Sequence, residues 1–190
     1  MENKKVLSCN SRQDFREWLS KNHGIESECW LVLKRGRPID DNKFYYLDAV
    51  EEALCFGWID SSLKVIDGVR MQRFSPRRKN SFWTELNKER VRRLEKLGLM
   101  TDAGRKVLLE MDVKKFKVDT EVEKALKGKR IWSKFKNFPP LYQRVRASNL
   151  AFYKKRDPMV YQKMLNHLIE TTKKNQTFGE WNDYGRLLDY

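Results

Sequence analysis

Cations, hydroxyls and indole rings meet in one stretch of this 190-residue chain. Within Arg73-Phe74-Ser75-Pro76-Arg77-Arg78-Lys79-Asn80-Ser81-Phe82-Trp83, Arg77, Arg78 and Lys79 can neutralise an anion, and Ser75 and Ser81 can hydrogen-bond it. A helix expected just beyond would add backbone N–H groups at its positive end. Upstream, Ala53-Leu54-Cys55-Phe56-Gly57-Trp58-Ile59-Asp60 ends on a carboxylate that can orient Arg73 or Arg77, or act as a base. Trp58 and Trp83 can wall such a cleft. The same parts can instead make a structural network, with arginines stacked on Trp58 or Trp83 and paired with Asp60, and the indoles in the core. The candidate ligand-binding set is therefore Trp58, Asp60, Arg73, Ser75, Arg77, Arg78, Ser81 and Trp83.

Covalent catalysis has fewer parts to work with. Cys55 lies beside Phe56 on an apolar segment with no histidine nearby in sequence, and His23 and His167 are distant, so a core thiol is expected. Cys9, Cys29 and Cys55 are odd in number and lack C-x-x-C spacing, as reduced structural thiols do. Two histidines and no ligand spacing argue against a metal site. The chain also lacks a dinucleotide glycine fingerprint, a phosphate-binding lysine loop and a G-x-S-x-G elbow, so no catalytic residue and no cofactor are expected. An unusual enzyme using Asp60 or Cys55 in the same cleft is the alternative.

Charge bears on partners. Forty basic against 26 acidic residues give a net charge of +14, a field that attracts phosphates, nucleic acid or acidic surfaces, although the basic residues are spread over nearly the whole chain. Lys129-Arg130-Ile131-Trp132-Ser133-Lys134-Phe135-Lys136 and Tyr142-Gln143-Arg144-Val145-Arg146 interleave aromatic and basic residues, which suits sequence-independent nucleic-acid binding. It also suits amphipathic helices that turn Trp132, Phe135, Leu141 and Val145 inward. The partners in view are thus an anionic small molecule or a nucleic acid. Met1-Glu2-Asn3-Lys4-Lys5-Val6-Leu7-Ser8-Cys9 lacks the apolar core of a secretory signal, and no stretch approaches the ~20 apolar residues of a transmembrane helix. A cytoplasmic location without membrane insertion is expected.

The elements that must position these residues follow from periodicity. Phe15, Trp18 and Leu19 define the apolar face of a helix over residues 11–22, begun at Ser11-Arg12-Gln13-Asp14. Residues 28–34 read as a buried strand, and residues 47–55 as a second helix that Gly57 caps in the left-handed conformation. Asp67-Gly68 marks a two-residue hairpin turn, and if Ile66 faces Val69, then Val65 faces Arg70 and Leu63 faces Gln72. A third helix opens near Ser81 or Thr84 and runs to Gly98, and a fourth runs from Thr101 to near Met111. After a connector at residues 112–117, Thr120-Glu121-Val122-Glu123 reads as a capping box. Pro140 and Pro158 stand at first helical positions, the latter behind Asp157, opening helices near 140–155 and 158–174.

The expected fold is α+β, a small antiparallel sheet with packed helices over residues 1–115 followed by a C-terminal helical module over 116–190. The pairing of Ala53-Leu54-Cys55-Phe56-Gly57-Trp58-Ile59-Asp60 with Arg73-Phe74-Ser75-Pro76-Arg77-Arg78 and Ser81-Phe82-Trp83 resembles the bacteriocin-protection family of YdeI or OmpD-associated proteins. The likeness extends over roughly residues 11–110, including Asn87 and Gly98-Leu99-Met100, while residues 140–175 lack the Ala-Lys and Glu-Thr-Arg signature of that family's C-terminal segment. The resemblance implies a small cytoplasmic α+β domain with a helical module, no established activity or cofactor, and an association with resistance to antimicrobial peptides or stress.

Overall fold

In the computed structural model, residues 5–190 are described, and Met1-Glu2-Asn3-Lys4 of the segment read for a signal lie outside them. Ser11 caps α1 (Arg12–Asn22) by accepting from the Asp14 N–H, and the Asp14 carboxylate returns the bond to the Ser11 N–H at 3.1 Å. The apolar face then buries Phe15 and Leu19, each worth about 1.5–3 kcal/mol. β1 is shorter than expected, Cys29–Leu31 only, because its pairing with β3 ends where Leu31 stands opposite Gln72. α2 (Tyr46–Cys55) has eight of its ten residues buried, including Glu51 and Glu52. Gly57 follows with φ 74°, as the left-handed cap requires.

β2 (Trp58–Ile66) and β3 (Val69–Pro76) form the hairpin, turning through Asp67 and Gly68 at φ 49° and 78°. The register pairs Ile66 with Val69, Val65 with Arg70 and Leu63 with Gln72, as the turn dictated. Between Asp60 and Leu63 the register shifts through a bulge, after which Asp60 pairs with Phe74 and Ile59 with Ser75. The sheet is antiparallel in the order β1-β3-β2, so β1 and β2 are its two edge strands.

α3 (Glu85–Lys96) starts at Thr84, whose hydroxyl accepts from the Asn87 N–H at 3.2 Å, and ends at Gly98 with φ 68°. The fourth helix is one turn, α4 (Asp102–Arg105), instead of a run to Met111. Thr101 fixes this turn against the end of α2, donating to the Cys55 carbonyl from both its N–H at 3.1 Å and its hydroxyl at 2.6 Å. After a 3-10 turn at Val113–Lys115 come α5 (Thr120–Gly128), α6 (Trp132–Lys136), α7 (Pro140–Lys154) and α8 (Pro158–Lys173). Asp119, not Thr120, caps α5: a carboxylate one residue earlier accepts from the Glu121 N–H at 2.9 Å and moves the helix start back. Pro140 and Pro158 hold the first helical positions, and Asp157 accepts from the Val160 N–H at 3.0 Å.

The chain forms two units, one running to Ser81 and resuming over Val91–Leu109, the other comprising Phe82–Arg90 and Glu110–Tyr190. The first unit buries Phe15, Leu19, Trp30, Trp58 and Phe74; the core of the second centres on Leu126, Phe135, Tyr142, Leu150 and Leu168. Phe135, Leu141 and Val145 are buried and Trp132 is partly so, as the amphipathic reading of those segments requires. The architecture is α+β with a C-terminal helical part. Among the described residues no helix is long and apolar enough to cross a membrane.

Candidate anion site at the foot of the hairpin

Register decides which candidate residues share a face. Asp60 pairs directly with Phe74, so with Trp58 it faces the helix-covered side, whereas Arg73 and Ser75 alternate to the other side. Trp58 is 1% exposed, donates its indole N–H to the His23 carbonyl at 3.0 Å and meets Trp18 edge-on at 5.7 Å between centroids. It is a core pillar. Arg73 works across its own face, donating to Glu28 at 2.6 Å and to the Ser61 hydroxyl at 3.3 Å. The structure therefore does not gather the seven candidate residues of the first unit at one point. Trp83 belongs to the second unit, where it is 6% exposed.

It does bring Asp60 to Arg77. Arg77 is 8% exposed and its backbone N–H donates to the Gly57 carbonyl at 2.9 Å. Burial pushes its guanidinium down to about 10, while the Asp60 carboxylate acts in the opposite direction. Asp60 in turn accepts from the Tyr46 hydroxyl at 2.6 Å, at the first residue of α2. Arg35 lies 3.9 Å above the Tyr46 ring and donates to Gln72 at 2.6 Å. The Gln72 amide serves the carbonyl of Ser62, in the bulge, at 3.3 Å. Sequence reading passed over Tyr46, Arg35 and Gln72, none of which carries a motif; the one available signal was Gln72 opposite Leu63 in the predicted register.

Beyond Arg77 the chain tightens into a loop. Ser81 donates its N–H to the Arg78 carbonyl at 3.0 Å, and Asn80 has φ 62°. Arg78 and Lys79 are exposed, Ser75 is half-buried, and the Ser81 hydroxyl oxygen is buried without a hydrogen-bond partner. The expected free N–H groups at the start of α3 are engaged by the protein itself: Glu85 donates to the Ser148 hydroxyl at 3.1 Å and Asn87 to Thr84.

A larger ionic cluster on α2 was not foreseen. Glu51 and Glu52 are essentially inaccessible, and Arg12 donates to Glu51 at 2.8 Å and also pairs with Glu52. Arg16 reaches Glu52 at 2.6 Å and the Leu99 carbonyl at 2.9 Å, and Arg93 reaches Glu51 at 2.9 Å. Burial lowers the Arg12 pKa, but Glu52 and Glu51 more than reverse it, so the cation is held above its usual value. Beside this cluster, burial and then Glu52 push the Cys55 thiol up to about 12, which keeps it protonated and unreactive at neutral pH.

A family model described as a domain of unknown function, DUF8412, matches residues 7–107, over half of the chain. The chain belongs to that family. The DUF8412 region contains the hairpin, the Tyr46–Asp60–Arg77 arrangement, the loop through Ser81 and the α2 cluster. No curated protein and no solved structure matches the chain.

Proposed function

We propose that this is a cytoplasmic anion-binding protein, with its site in the loop of residues 77–81: Arg78 supplies the charge, Ser81 donates its hydroxyl, and Arg77, tied to Asp60, holds the loop in place. The observation carrying this reading is the buried Ser81 hydroxyl without a partner, next to the exposed cations Arg78 and Lys79. A buried donor left unsatisfied costs about 1–3 kcal/mol, which an anion oxygen would recover. The likeness to YdeI or OmpD-associated proteins supports the same segment as the site. Protection against antimicrobial peptides is indirect on this reading, because a chain at +14 repels cationic peptides.

The test is a thermal-shift titration at low salt with pyrophosphate, citrate and AMP on the wild type, Arg78→Ala and Ser81→Ala. At ten times Kd, a bound anion raises the wild-type midpoint by about 3–6 °C and each variant by less. Equal shifts in all three proteins would remove the loop from consideration.

A second reading, sequence-independent nucleic-acid binding, is favoured by a groove of about 670 Å³ in the second unit, lined by Lys117, Trp132, Lys136 and Arg144 among others. Lys127 and Lys136 each lie 5.8 Å from the centroid of the Trp132 ring. Oligonucleotide affinity that falls steeply with salt and weakens in Trp132→Ala would support it.

A further inference from the structure

The second unit holds a cavity of another chemical character, of about 270 Å³, whose walls carry cations and apolar groups and no carboxylate. Arg146 and Leu150 stand one turn apart on α7; Met164 and Leu168, and likewise Lys163 and His167, stand one turn apart on α8. Phe178, from the chain after α8, completes the lining. Its carbonyl accepts from Arg146, its ring lies 4.2 Å beneath the Arg146 guanidinium, and the His167 ring meets it edge-on at 4.3 Å. Gly179, at φ 62°, permits that approach, because a Cβ there would stand 3.0 Å from the Arg146 guanidinium.

Arg146 is the unusual group. Its Nε is buried without a hydrogen-bond partner, and among the described residues no carboxylate pairs with it. Burial lowers its pKa, opposed only by Tyr142. A charge in an apolar wall normally has a counterion, since desolvating it otherwise costs several kcal/mol. A cavity of about 150 Å³ holds a benzene ring, so about 270 Å³ holds a ring and a short acid arm.

We infer that this pocket binds a small apolar monocarboxylate, an aryl-alkanoic or medium-chain acid, whose body lies against Leu150, Met164, Leu168 and Phe178 and whose carboxylate meets Arg146 with Lys163 at the rim. The site lies outside the DUF8412 match and shares no residue with the hairpin loop, so the two stand or fall separately.

The experiment titrates the full chain with 3-phenylpropionate and with its neutral amide, by calorimetry and by the NMR signal of the Met164 methyl. The acid is expected to bind saturably and shift that methyl, and the amide to bind at least about tenfold more weakly, having lost the charge-assisted bond. Met164→Trp, which fills the cavity, should abolish binding, and Lys163→Gln, at an exposed position, should weaken it severalfold while leaving the fold intact. Acid and amide binding alike, no saturable binding of the acid, or undiminished binding by Met164→Trp would each overturn the inference.

Discussion

The Tyr46 hydroxyl donates to the Asp60 carboxylate at 2.6 Å, joining the first turn of α2 to β2 one step before the bulge. The same carboxylate attracts the buried Arg77 guanidinium, so one side chain orders both a helix start and the loop that follows the hairpin. Asp60→Asn keeps the shape but leaves Arg77 without that attraction; a loss of about 1–3 kcal/mol is expected, discounted because Asp60 is only half-buried. Tyr46→Phe removes one charge-assisted bond and should cost about 1–2 kcal/mol. Urea denaturation of both variants checks these values; wild-type stability in either variant would contradict the corresponding contact.

Glu51 is the hub of the α2 cluster, accepting from Arg12 at 2.8 Å and Arg93 at 2.9 Å while itself fully buried. Glu51→Ala takes away the carboxylate that Arg93 pairs with and leaves Arg12 to Glu52 and Asp48. The expected cost is about 3–5 kcal/mol, and high salt should not rescue it, since buried pairs are poorly screened. A denaturation midpoint within experimental error of wild type would show that the cluster contributes no net stability.

Three glycines give a graded series. Gly98, at φ 68° with open space around it, should lose about 1–2 kcal/mol on replacement by Ala, from backbone strain alone. Gly57 adds contact to strain, because its Cβ would lie 3.0 Å from the Ala103 carbonyl and 3.2 Å from Val107. Gly104 is the extreme case: a Cβ there would sit 2.2 Å from the Cys55 carbonyl, so α4 could not dock on the end of α2. Midpoints measured on the three Ala variants should fall in that order.

The Cys55 thiol, pushed from 9.0 up to about 12 by burial and Glu52, favours the folded state only while protonated. Its contribution is complete below the unfolded pKa near 9 and is lost as pH rises from there towards about 12. Cys55→Ala should therefore flatten the alkaline limb of the stability curve. A disulfide reagent at pH 8 should label Cys55 far more slowly in the native protein than in urea; rapid native labelling would restore the thiol as a candidate nucleophile.

How much of this was legible follows from where each signal sits along the chain. The Asp67-Gly68 turn fixed a register that holds from Ile66 to Leu63, because hairpin pairing is local. It could not carry past the bulge, and that shift sets Asp60 apart from Arg73 and Ser75. Glu51 and Glu52 read as two acids in an apolar helix, with nothing nearby to show that Arg12, Arg16 and Arg93 would enclose them. Caps written into adjacent residues, at Ser11, Thr101 and Asp157, were recoverable; Asp119 was missed because Thr120 offered a rival box one residue later.

The edge position of β2 has a consequence for crowded solutions. Leu63 and Val65 are 47% and 67% exposed along a strand with a free edge, the arrangement through which identical chains template one another into aggregates. Two devices blunt it: the bulge between Asp60 and Leu63 breaks the even spacing of edge donors and acceptors, and Lys64, between the two apolar residues, brings charge against its own copy. The exposed half of the hairpin thus acts as its own gatekeeper against self-association.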